Sequence, residues 1–317
     1  MKKNHSQNST RERNINEAPS SFAIIIGAMK SGTTTLFDLL QQHPEIACSK
    51  IKEPDFFSEN SDPNQHWDEY LDLWDWDPDR HKIALEASTS YTKLPFIKGV
   101  PARIAASPAK KVKFIYLMRN PISRIASQVR HSLYEGWGKS LDEGITEDLI
   151  DFSKYAMQID AYAEIFPREN ILLLTMEELS RSPEEVLQKV CKFLDISSNF
   201  NFKNQEQVSN TGDLYNIHPI IAAFLKNRLV RRAGNMLLKG NIRRHVRNFL
   251  ARLSSRTELD KRWQLNEKES SYVIDRLASD LDRLKFYYNV DFESLWHIRM
   301  GNITQKDSSR IQVGNKP

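Results

Sequence analysis

The sequence predicts an α/β fold: a parallel β-sheet flanked by helices on both faces, followed by a basic helical C-terminal region. Three observations lead there. Apolar runs at 22–26, 82–87, 112–118 and 170–176 are continuous rather than alternating, the pattern of strands buried on both faces. Segments with helical spacing separate them, as connections between parallel strands require. Strand signals stop near His218, and helical periodicity takes over.

The elements follow in order. The first run, Phe22-Ala23-Ile24-Ile25-Ile26, ends at Gly27. A helix is expected from 34 to about 42, stopped at His43-Pro44 because a proline disfavours helical backbone in the residue before it. A second helix is expected near 66–74 and a third at about 95–106. After the run 112–118, Pro121 opens a helix to about 134, since proline suits the first helical position. Helices at 151–166 and 183–194 bracket the run 170–176, and further helices are expected at 218–238, 241–253 and 267–288. The organisation expected is a disordered tail over 1–20, an α/β core over 21–215, a helical basic region over 216–300 packed on that core, and a frayed tail over 301–317.

Composition narrows the class. The chain has 317 residues, 40% hydrophobic and 27% charged, which suits a soluble globular protein with a sizeable core. No run approaches the roughly 18 apolar residues of a membrane-spanning helix. The N-terminal stretch is basic without an apolar segment behind it, unlike a secretory signal. Cys48 and Cys191 supply neither a disulfide framework nor a metal set, so a cytoplasmic protein is expected. The net charge of +4 is uneven: 12 Lys or Arg stand against Glu258 and Asp260 between 226 and 262, while the remainder has 33 basic and 39 acidic residues. A positive appendage suits an anionic partner such as a membrane surface; without zinc, helix-turn-helix or stacking-aromatic signatures, nucleic acid is not expected.

Two clusters carry chemistry. After the first strand comes Gly27-Ala28-Met29-Lys30-Ser31-Gly32-Thr33-Thr34-Thr35. Gly27, Gly32 and Thr34 match the spacing of the phosphate-binding pattern G-x-x-x-x-G-K-[ST], but Thr33 occupies the lysine position and a lysine stands earlier, at Lys30. A strand–loop–helix passage aims free N–H groups and the positive helix end at the loop. The second cluster is Arg119-Asn120-Pro121-Ile122-Ser123-Arg124-Ile125-Ala126-Ser127, at the carboxyl end of the third run. Ligands bind open parallel sheets beyond the carboxyl strand ends, and arginine with serine there can grip a second phosphate.

Together the two clusters resemble the sulfotransferases that use 3′-phosphoadenosine-5′-phosphosulfate (PAPS), in the bacterial and Golgi-type glycan branch. The family's loop is similar to Ala28–Leu36, and its 3′-phosphate motif is similar to Leu117–Ser127 with Met118 inserted before Arg119. The resemblance covers about 22–215 and implies a PAPS donor with no metal requirement. It implies that Lys30 contacts the transferred sulfuryl group, that Ser31, Gly32, Thr33, Thr34 and Thr35 cradle the 5′-phosphate, and that Arg119 and Ser127 hold the 3′-phosphate.

Lys52-Glu53-Pro54-Asp55-Phe56-Phe57 resembles the family's K-E-x-x-F-F stretch, which makes Glu53 the implied catalytic base. An alcohol is a weak nucleophile while it keeps its proton, and a positioned carboxylate can take it. His131 and His43 are rival bases. Glu86 is either a site group or a partner for Lys30 or Arg119. The chain departs from the family at Ala87, where a lysine is usual, and at 208–212, which has no basic residue; Gly212 alone carries over as a nucleotide-loop residue. The expected function is sulfuryl transfer from PAPS to a hydroxyl or amine of a carbohydrate or glycolipid. The alternatives are a P-loop small-molecule kinase, which Thr33 disfavours, and a non-enzymatic module for anionic surfaces. Trp67, Tyr70, Trp74 and Trp76 form either a sugar-stacking wall or core.

Overall fold

In the computed structural model, the described residues are 18–59, 62–135, 145–205 and 264–298. They fall into two compact units, one drawn from Met1–Arg119 with Gln158–Asp213 and the other from Asn120–Met157 with Leu214–Pro317. Most of the expected N-terminal tail, the helices expected at 218–238 and 241–253, the basic stretch 226–262, Gly212 and the tail 301–317 lie outside the described residues.

The first unit is built on a five-stranded sheet: β1 (Ser21–Gly27), β2 (Ile46–Cys48), β3 (Ile83–Ala87), β4 (Lys111–Met118) and β5 (Ile171–Thr175), in the order β2-β3-β1-β4-β5. Every pairing is parallel, as the continuous apolar runs predict. The sheet's two faces have different partners. Ala23, Ile25, Leu85, Ile115 and Leu117 pack with Leu36 and Leu40 of α1 (Thr33–Leu40) and with Leu187 and Val190 of α9 (Pro183–Leu194). On the other face Phe22 meets Trp67 and Tyr70 of α3 (Trp67–Leu71), at 5.7 and 5.9 Å between ring centroids, and Trp74 at 5.7 Å. Phe114 meets Tyr162 of α7 (Tyr155–Ala163) at 5.0 Å. Alternating residues of each strand thus serve opposite layers.

Several element bounds differ from the sequence reading for physical reasons. The helix expected from 95 begins only at Val100 (α4, Val100–Ala106), because Gly99 takes a left-handed N-cap conformation and Pro101 sits in the first turn. The helix expected over 151–166 is shorter, α7 over Tyr155–Ala163, and a separate helix, α6 (Glu147–Asp151), ends at its expected start. Within the second unit, Asp280 accepts the Ala156 and Met157 N–H groups at 2.9 and 2.8 Å and so caps a new start. Met176 is not the end of β5 but the first residue of α8 (Met176–Arg181), whose Thr175–Glu178 capping box fixes the boundary. The three-residue β2 and the short α2 (Phe56–Glu59) are too brief for periodicity to mark.

The second unit contains α5 (Pro121–Glu135), α6, the start of α7 and the helix Glu267–Tyr288, which has the bounds expected from its apolar spacing. Asn120 opens α5 by accepting the Ile122 and Ser123 N–H groups. No helix among the described residues is long and apolar enough to cross a membrane.

Candidate active site

The loop after β1 is fixed from two sides. Ala28 N–H donates to Leu117 O on β4 at 2.7 Å, and Ser31 N–H donates to Ala28 O at 3.1 Å. Arg119, at the carboxyl end of β4, donates from Nη1 to Lys30 O at 3.2 Å. Two positions admit only glycine: a Cβ on Gly27 would strike Thr92 Oγ1, and one on Gly32 would strike Met176 Sδ, with φ at 90° besides. Thr92 closes the near side by donating to Ile26 O at 2.8 Å.

This loop is shaped for an anion. α1 has Gly32 as its N-cap and no side-chain cap, so its first N–H groups have no intrahelical acceptors and its positive dipole end faces the loop. Thr33 is buried, Thr35 half-buried and Thr34 exposed in the first turn. Ser31 is fully buried, and its Oγ has no hydrogen-bond partner among the described residues. A buried unpaired hydroxyl costs about 1–3 kcal/mol. An oxyanion with several acceptor atoms answers both the hydroxyl and the helix N–H groups.

Glu53 stands at the same sheet edge. Its N–H donates to Ala87 O at 2.8 Å, and Ala87 is paired with Ile25 of β1 just before the loop. The carboxylate is 37% exposed, and Oε1 accepts from Lys52 Nζ at 2.8 Å and Thr89 Oγ1 at 3.4 Å. At that exposure the carboxylate can be reached from solvent.

Backbone strain gathers here. Lys30, Glu53 and Asp55 hold left-handed backbone with φ of 68°, 59° and 54°. Asp195, Asn289 and His297 share that conformation as helix C-caps, where it is common, and Asn204 takes it in a loop, where asparagine tolerates it best. For lysine and glutamate in loops it costs about 1–2 kcal/mol each, and retained strain of that kind clusters at functional sites.

Glu86 lies beneath the edge, fully buried. Its partners are Tyr70 Oη at 2.8 Å, Ser88 Oγ at 2.9 Å and Tyr91 Oη at 3.2 Å, rather than Lys30 or Arg119. Burial pushes its carboxyl up to about 7, against the opposing pull of those three hydroxyls. Sequence spacing alone gave no signal for Tyr91 as its partner, because it is reached through a tight 3₁₀ turn at Thr89–Thr92.

The remaining expectations sort as follows. His43 is a structural group: Nδ1 accepts the Glu45 N–H at 3.1 Å and Nε2 donates to Ser197 O at 2.9 Å, which leaves no nitrogen for base chemistry. His131 lies half-buried on α5. Tyr70 and Trp74 are core, with Trp74 Nε1 donating to Leu85 O at 3.2 Å. Trp67 packs on Phe22 and Tyr70, and Trp76 lies against His81 at 5.6 Å. Arg124 is fully buried and donates to Ser153 Oγ, Gln128 Oε1 and Leu149 O at 2.5–2.6 Å, so it is committed to its own unit. Ser127 is buried on α5 of that second unit.

Comparison with known proteins agrees with this geometry. Residues 21–215 match the sequence model of the family described as the sulfotransferase domain. The human heparan sulfate glucosamine 3-O-sulfotransferase 3B1 is 33% identical over 187 residues, covering 55% of this chain and 46% of that protein. The mouse bifunctional heparan sulfate N-deacetylase/N-sulfotransferase 4 is 25% identical over 230 residues, covering 63% of this chain and 25% of that protein. The chain thus spans about half the length, or less, of these curated relatives. Among solved structures, the sulfotransferase from Alicyclobacillus acidocaldarius superposes with a TM-score of 0.59 at 21% identity, covering 88% of this chain and 98% of that one, and so shares the fold. A parallel sheet, a phosphate-shaped loop after its first strand and a family match over most of the first unit lead to one conclusion: the chain belongs to the sulfotransferase domain family.

Proposed function

We propose that the protein transfers a sulfuryl group from PAPS to a hydroxyl, or an amine, of a carbohydrate or glycolipid. The observation that carries the donor assignment is the buried Ser31 hydroxyl, unpartnered among the described residues, beside an uncapped helix N-terminus. When bound, PAPS would supply the sulfuryl group, with adenosine 3′,5′-bisphosphate as the leaving group. Ser31, Gly32, Thr33, Thr34 and Thr35 hold the 5′-phosphate through N–H and hydroxyl donors. Lys30 offsets negative charge at the sulfuryl end of the donor. Arg119 holds the 3′-phosphate, and Ser127 and Gly212 are assigned to nucleotide binding by the motif resemblance alone. Glu53 takes the acceptor's proton as the nucleophile attacks.

The acceptor class follows from the names of the heparan sulfate relatives, and the Lys52–Phe57 stretch is the local feature that supports it. A cytoplasmic location, resting on cysteine usage, and contact of 226–262 with an anionic membrane surface belong to the same proposal. The test is transfer of radiolabelled sulfate from PAPS to glucosamine-containing oligosaccharides. Label should appear in the sugar without added magnesium, and Glu53→Gln should remove most of it while adenosine 3′,5′-bisphosphate still binds. A magnesium-dependent transfer of phosphate from ATP would overturn the assignment.

A further inference from the structure

Beyond the Glu53 N–H bond to Ala87 O, the segment carrying Glu53 rests on hydroxyl groups. Asp55 N–H donates to Ser88 Oγ at 3.1 Å, and Phe57 N–H donates to Tyr91 Oη at 3.1 Å. Each hydroxyl has one proton to give and lone pairs to accept with. Ser88 gives its proton to Glu86 Oε2 at 2.9 Å, and Tyr91 gives its proton to Glu86 at 3.2 Å. Tyr70 donates to Oε1 at 2.8 Å. The carboxylate therefore draws the protons of both supporting hydroxyls inward and leaves their lone pairs facing the loop.

We propose that Glu86 is the positioning residue of the Glu53 loop, setting through Ser88 and Tyr91 the direction of the hydrogen bonds that hold Asp55 and Phe57. The proposal rests on the reading of Glu53 as the base. Only an acceptor at position 86 does this. An amide of the same shape has an NH₂ group on one side, which forces a facing hydroxyl to accept from it and turn its own proton toward a loop N–H. The position in the sheet explains why a carboxylate can be held there. Glu86 pairs with Ile24 of β1, so it faces the aromatic layer that supplies Tyr70 and Tyr91. Three donors offset the cost of burying it without a cation. Further loop contacts lie above the same carboxylate: Ser90 Oγ donates to Asp55 Oδ1 at 2.7 Å, and Arg103 Nε donates to Phe57 O at 2.6 Å. Glu53 is held by its N–H to Ala87 O and by Lys52 and Thr89 at Oε1, and it stands two residues from Asp55, so a loosened Asp55 shifts the backbone that aims its carboxylate.

The test needs no knowledge of the acceptor in its first half. Amide hydrogen exchange is followed in the wild-type chain, Glu86→Gln and Ser88→Ala. In Glu86→Gln protection should fall at least tenfold at Asp55 or at Phe57, whichever is held by the hydroxyl facing the NH₂ group, and in Ser88→Ala at Asp55 alone, while amides of β1 and β4 keep theirs. Loss of protection throughout the sheet, or none at Asp55 and Phe57 in either variant, overturns the proposal. Ser88→Ala removes one oxygen from a small side chain and carries the test if Glu86→Gln does not fold. The second half compares turnover with glucosamine oligosaccharides. Glu86→Gln and Ser88→Ala should each lose about ten- to a hundredfold in kcat, with affinity for adenosine 3′,5′-bisphosphate within twofold of wild type. The double variant should be no worse than the poorer single one, since both act on one network. Normal turnover in both variants beside an inactive Glu53→Gln overturns the positioning role and leaves the base standing. Normal turnover in Glu53→Gln overturns both.

Discussion

Arg119 donates from its guanidinium to the main-chain carbonyl of Lys30 at 3.2 Å, so the end of β4 and the phosphate loop are tied together by the same side chain that is proposed to meet the 3′-phosphate. The arginine has five donors in a planar fork, enough to hold the carbonyl and still face an anion. Its two contributions can be separated by the choice of ligand.

Arg119→Ala should weaken adenosine 3′,5′-bisphosphate by about ten- to a hundredfold, the scale of a lost charge-assisted hydrogen bond. Adenosine 5′-monophosphate, which has no 3′-phosphate, should lose far less. Isothermal titration of the two nucleotides decides. Equal losses would mean that Arg119 acts only by holding the loop.

The displaced lysine makes a second point about cost. Lys30 holds φ at 68° in a position where glycine would sit without strain. Lys30→Gly should therefore be more stable than Lys30→Ala by about 1 kcal/mol, read as a higher Tm, while both lose sulfate transfer. Both variants should also bind the bisphosphate more weakly than wild type, having lost the charge. If Lys30→Gly is no more stable than Lys30→Ala, the backbone is unstrained there and the argument from strain to function fails at that residue.

The sheet was legible because its strands are continuous apolar runs, and the loop because glycine spacing after a strand has few other uses. The helix Glu267–Tyr288 was legible from periodicity, and the structure shows an Asn266–Glu269 capping box at its start. What escaped depends on contacts distant in sequence. The break between α6 and α7 is made by Asp280, more than a hundred residues downstream. The role of Glu86 depends on Tyr70 arriving from α3 and on a 3₁₀ turn that brings Tyr91 back over the strand end. Local pattern contains no record of either. The Thr175–Glu178 capping box, by contrast, was written in the sequence as Thr-x-x-Glu and marks the start of α8.

Glu86 also sets a conflict between stability and function that a pH series can expose. Burial raises its carboxyl from 4.5 to about 7, and the charge of Asp55 adds to the rise. The other groups facing it are the phenols of Tyr70, Tyr91 and Tyr162, all held well above their ordinary value and so neutral throughout this range. Between 4.5 and 7 the folded chain keeps a proton that the unfolded chain has released, so stability falls as pH rises through that window and the penalty is complete above it. Glu86→Gln has no charge to bury and lacks this slope. The Tm of wild type minus that of Glu86→Gln should therefore shrink as pH rises from about 5 to 8. Wild-type turnover should move the opposite way, rising as Glu86 ionises, because only the carboxylate accepts from both Ser88 and Tyr91. A Tm difference that stays constant with pH would show that Glu86 titrates at the same pH in the folded and unfolded chain, and that no stability is spent on keeping it ionised.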